Sequence, residues 1–140
     1  MSFVCLMAFV LIGQEPAIKA PNHMAWDQAV KFKAELIDLG ENDGEIITIR
    51  MVIKPKFWII ATPQSNEFLH DSQVRLIIRS KDPDTQFEIR YPKGIEFRVA
   101  RESWTQYQGD VVITALVRRA KGDVSPLQCT LHVWGSHDAY

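Results

Sequence analysis

Between Val111 and Arg118, and again between Leu127 and Trp134, apolar residues occupy every second position, and this rhythm constrains the chain more than any other feature. Val111, Ile113, Ala115 and Val117 share one side of the first run. Leu127, Cys129, Leu131 and Val133 share one side of the second, with Gln128, Thr130 and His132 opposite. A period of two sends successive side chains to opposite faces of a strand, whereas a helix needs apolar spacings of three and four. The connection from Ala120 to Pro126 holds Gly122-Asp123 and Ser125-Pro126, which supply turn geometry and stop a ladder.

The same rhythm runs through the body. Val30, Phe32, Ala34 and Leu36 alternate with Lys31, Lys33 and Glu35; Trp26, Val30, Lys33 and Ile37 also fit a helical spacing, but strict alternation favours a strand. Further strands are predicted over Glu45 to Ile53, Phe57 to Ala61, Val74 to Arg79, Phe87 to Tyr91 and Ile95 to Val99. Every Pro and Gly of the body falls between these runs. Seven to eight short strands separated by turn signals predict an all-β, immunoglobulin-like antiparallel β-sandwich over residues 24–140, with a barrel as the alternative.

With 140 residues, of which 46% are apolar, the chain is long enough to bury one core. A net charge of -1 without a basic stripe argues against nucleic acid. The two cysteines, Cys5 and Cys129, do not form a disulfide framework, and no Cys/His spacing suits zinc, so neither metal nor cofactor is expected. His132, His137 and Asp138, or His70 with Asp71, read as solvated groups, as do Arg118, Arg119 and Lys121. Ser136-His137-Asp138 holds the residue types of a hydrolase triad, but adjacent residues cannot form a relay. The apolar run from Phe3 to Ile12 is too short to span a bilayer and suits a secretory leader over residues 1–20, cleaved near Leu11-Ile12-Gly13, with a core strand as the other reading. A leader implies export, to a periplasm or beyond.

Lys56-Phe-Trp-Ile-Ile-Ala61-Thr-Pro63 with Asn66, then Tyr91-Pro92-Lys-Gly94, then Tyr107-x-Gly109-x-Val111-x-Ile113 running to Gly122-Asp123-x-Ser125-Pro126-Leu127, resemble one family in their order along the chain. It is the N-terminal, disulfide-bond-corrector domain of the DsbD-type thiol:disulfide interchange proteins, and the likeness covers about Ala29 to Tyr140. The resemblance implies an immunoglobulin-like sandwich in an oxidising compartment. It also implies exported or membrane-bound thiol–disulfide proteins as partners, and two redox cysteines near the last strands under a cap loop. That loop corresponds to about Arg98 to Tyr107.

Here Ser136 stands where the first redox cysteine is expected, and Cys129 reads as a small core residue. Exchange needs a thiolate nucleophile and a second sulfur to resolve the mixed disulfide, and a hydroxyl supplies neither. The expectation is a non-enzymatic docking module that binds a protein partner through Trp58, Glu102, Trp104, Tyr107, Trp134 and Ser136 at one end of the sandwich. Thiol–disulfide interchange is the alternative, if a cysteine pair is supplied downstream or in trans.

Overall fold

The computed structural model describes residues 29–40 and 43–137 in full and the backbone of residues 2–12 and 15–18. Trp26, Gly13 and Asp138, named in the sequence analysis, lie outside the described residues. The strands are β1 (Ser2–Ile12), β2 (Glu15–Ile18), β3 (Val30–Asp38), β4 (Glu45–Ile53), β5 (Phe57–Ile60), β6 (Arg75–Arg79), β7 (Gln86–Arg90), β8 (Ile95–Val99), β9 (Glu102–Tyr107), β10 (Asp110–Arg118) and β11 (Leu127–His137). They form an antiparallel β-sandwich. One sheet has the order β3-β4-β10-β7; the other has the order β2-β1-β11-β5-β9-β8, with β6 also paired to β11.

The period-two pattern explains the core. Ile47, Ile49 and Met51 of β4 lie opposite Ala115, Ile113 and Val111 of β10, and all six are buried. The facing sheet contributes Ile59, Leu127, Cys129, Leu131 and Val133, each at most 1% exposed. Two inner faces of β-branched and aliphatic residues interlock in this way because each strand turns its polar positions outward. The predicted strands of the body are all present.

Four differences have physical causes. The stretch matched to a cap loop is not a loop: β8 and β9 form a hairpin from Ile95↔Gln106 to Val99↔Glu102, turned by Ala100 at a φ of 54°. The strand β9 escapes period counting because its covered positions include a glutamine, Gln106, at 1% exposure. Gly135 lies inside β11 rather than beyond it, buried where Ile59 pairs with it. Finally, Arg119 is not solvated: its guanidinium binds the Glu45 carboxylate and donates to the Ser125 carbonyl at 2.6 Å.

The apolar run from Phe3 to Ile12 forms most of β1, which pairs along β11 from Ser2↔Ser136 to Leu11↔Leu127. Cys5 sits opposite Val133, four positions along β11 from Cys129. That is about 13 Å along the strand, roughly twice the span a disulfide bridges.

Candidate functional site

Strand β5 ends at Ile60, and the chain leaves the sheet through Thr62-Pro63, passes a 3₁₀ turn over Glu67–Ser72, and returns as β6. The excursion shortens the ladder available to β9, and a side chain replaces the missing backbone. Gln64, at 7% exposure, accepts the Thr105 N–H through Oε1 and donates to the Thr105 carbonyl through Nε2, both at 2.7 Å. Its amide thus presents one donor and one acceptor, as a strand residue would. Asn66 adds a bond from Nδ2 to the Ser103 carbonyl at 3.0 Å, and its Oδ1 caps the 3₁₀ turn by accepting the Phe68 N–H. The hairpin of β8 and β9 is therefore pinned to the sandwich by side chains as well as by strand pairing.

What the pinned hairpin carries is a row of aromatic side chains on the outer face of the larger sheet. The Trp104 indole packs on Trp58 with ring centroids 5.7 Å apart and on Phe97 at 5.4 Å, both tilted. Between the two indoles in register lies the Ile60↔Gln106 pair, both members buried. The Trp104 Nε1–H donates to Gln106 Oε1 at 2.7 Å, so the indole spends its polar atom inside the protein. Ile95, Phe97 and Val99 extend the row on β8 and stay 55%, 42% and 54% exposed. On β11, Ser136 is the register partner of Trp58, and Trp134, 39% exposed, shares its side of the strand. Glu102, exposed opposite Val99, closes the row at the hairpin tip.

Five of the six residues expected to bind thus fall on one face: Trp58, Glu102, Trp104, Trp134 and Ser136. Tyr107 does not. It alternates with Gln106 and points inward at 3% exposure, its hydroxyl lying 2.6 Å from the Thr62 and Pro92 carbonyls. Burial pushes its phenol up to about 12. It is a staple between the hairpin root and the β5 end. Phe97, which the sequence placed on a strand but not among the residues expected to bind, also belongs to the face. The signal was present in its partner: a residue opposite Trp104 in a hairpin shares that indole's side.

Other constellations serve the fold. Cys129 is buried among the core residues, and burial pushes its thiol up to about 12. At that value a thiol is almost never the thiolate that exchange or metal binding needs. A concavity of about 670 Å³ opens at the other end of the sandwich, lined by Asp38, Gly40, Asp43, Gly44 and Glu45 and by residues 118–123. Three of its charged groups, Glu45, Arg119 and Asp123, are held by partners within the fold. Asp123 accepts from the hydroxyls of Ser125, Ser80 and Thr85 at 2.5–2.6 Å, which hold its carboxyl well below the usual range. His132 is shifted down by burial and by the Arg75 charge, and the His70 ring lies 3.1 Å from the Gln64 carbonyl. Among the described residues no three His, Cys, Asp or Glu side chains converge as metal ligands.

Fold and face together define a β-sandwich with a half-open aromatic surface on its larger sheet. No protein-family model matches the chain, and no curated protein does. Among solved structures, the chain is similar to the envelope protein VP37 of White Spot Syndrome Virus. The TM-score is 0.53 at 8% identity, over 97% of this chain and 98% of that one. At that identity the likeness speaks for the sandwich fold alone.

Proposed function

We propose that the chain is a non-enzymatic docking module that receives a protein partner on the outer face built by Trp58, Phe97, Trp104 and Trp134. One observation carries the reading: three aromatic rings are in continuous contact on an open sheet surface, while the apolar residues around them stay exposed. Aromatic side chains are typical interface anchors, since they bury large area at little conformational cost. A contiguous apolar patch of this kind marks an interaction site more often than chance exposure does. Internal satisfaction of the Trp104 N–H leaves the face apolar, which suits a protein surface better than a polar small molecule.

The resemblance stated above favours an exported or membrane-bound thiol–disulfide protein as that partner, and export itself rests on the leader reading of residues 1–20. Interchange is not favoured at Cys129, which is buried with its thiol pushed up to about 12. The test is a pull-down against exported thiol–disulfide proteins with wild type and Trp104→Ala. Loss of capture at an unchanged melting temperature supports the reading. Equal capture by both proteins, or a melting temperature that collapses with the substitution, refutes it.

A further inference from the structure

Strand β8 ends the larger sheet, paired on one side with β9 and on the other with no strand among the described residues. An open edge is commonly guarded by shortness, charge, a proline or a bulge. Ile95-Glu96-Phe97-Arg98-Val99 is short and charged but holds no proline, and its two charges are of opposite sign, so an antiparallel copy would pair them rather than repel them. These two side chains stand two positions apart, on the side of the strand away from Trp104. Among the described residues neither Glu96 nor Arg98 forms an ion pair.

The backbone is set for pairing at the same two positions. Thr105, opposite Glu96, turns its N–H and its carbonyl away from β8, to Gln64 and to the Ala61 N–H. In an antiparallel ladder opposed residues bond to each other or both turn outward. The N–H and C=O of Glu96 therefore face the open edge, as do those of Arg98 two residues on.

We infer that β8 is a self-association edge, whose occupant is the β8 of a second copy, antiparallel about a two-fold axis at Phe97. In that register Glu96 of each copy lies opposite Arg98 of the other, and these are the pairs that exchange backbone hydrogen bonds. Phe97 meets Phe97, and Ile95 meets Val99. Charge selects this register over its neighbours: centring on Glu96 opposes two carboxylates, and centring on Arg98 opposes two guanidiniums. The contact is isologous, so it closes as a dimer and does not propagate. It joins the two larger sheets edge to edge. Phe97 borders both this contact and the docking face, but the register-selecting Glu96 and Arg98 lie on the side away from Trp104, so reversing their charges leaves Trp58 and Trp104 untouched.

Sedimentation velocity on the wild-type chain, Arg98→Glu, Glu96→Arg and the double swap tests it, from about 1 μM to about 1 mM. Wild type is expected to show a reversible monomer–dimer equilibrium that weakens with salt. Each single reversal is expected to weaken it at least about tenfold by opposing like charges. The swap Glu96→Arg/Arg98→Glu restores complementarity and should restore the dimer. A wild type that stays monomeric throughout overturns the inference. So does a swap no better than the single variants, or single variants equal to wild type. Capture of the docking partner by Arg98→Glu should be unchanged, whereas Trp104→Ala should lower it.

Discussion

Replacing Gln64 with alanine tests how the aromatic hairpin is held. The substitution removes two bonds of 2.7 Å to Thr105, one donated and one accepted, together with an accepted bond of 3.2 Å from the Asn66 N–H. Each contributes about 1 kcal/mol net, and a buried partner left unsatisfied costs more. Thr105 is only half-buried, so water recovers part of the loss. The expected destabilisation is about 2–3 kcal/mol. For a chain of this length that lowers the melting temperature by roughly 10 °C. Urea unfolding gives the free energy, and amide exchange at Thr105 shows where it is lost. Gln64→Glu keeps an acceptor for the Thr105 N–H but sets a carboxylate against its carbonyl, so it should cost about as much. A loss under about 0.5 kcal/mol for Gln64→Ala, within the range of ordinary surface substitutions, would refute the pinning argument.

Other consequences follow from the same geometry. At Gly94 an added Cβ would stand 2.6 Å from Thr105 Cγ2 and 2.7 Å from the Ala61 Cβ, so Gly94→Ala should cost about 1–3 kcal/mol by urea unfolding. The Cys129 thiol, pushed up to about 12 by burial, should resist maleimide in the folded chain and react once urea unfolds it. Because the folded values of Cys129 and Tyr107 are raised, the stability they lend is full below their unfolded values. It is lost as pH climbs from about 9 toward 12, which alkaline melting curves would record. Asp123 works in the opposite sense. Its folded value is depressed, so its contribution is present above about pH 4 and lost as pH falls further, and Asp123→Asn should flatten the acid limb of the melting profile.

Most of the sandwich was legible because its inner strands obey one rule. Ile47, Ile49 and Met51, or Leu127 to Val133, are apolar at every second position since one face meets a core and the other does not. Strand β9 was not legible, because its burial does not alternate: Glu102 is exposed, residues 103–105 are half-buried, and both Gln106, an outward-facing glutamine, and Tyr107 are covered. Nor can local pattern show that Gln64 acts as a strand residue from within a loop, since its partner lies 41 residues away. Arg119 was misread for the same reason: its carboxylate partner, Glu45, is 74 residues distant. Of the residues expected to bind, Trp58 and Trp104 were singled out from the positions the resemblance gave them and from side-chain type, and the fold sets them in contact on one face. Tyr107 was misplaced because parity along β9 becomes readable only once β9 is known to be a strand.

The claim that the Trp104 face receives a partner is tested most directly by photo-crosslinking from two positions. One photoreactive side chain replaces Trp104; the other replaces Val112, 41% exposed on β10 of the opposite sheet. Adducts with a second protein from position 104 and none from position 112 are the predicted result. Equal adducts from both positions, or adducts from 112 alone, would contradict it.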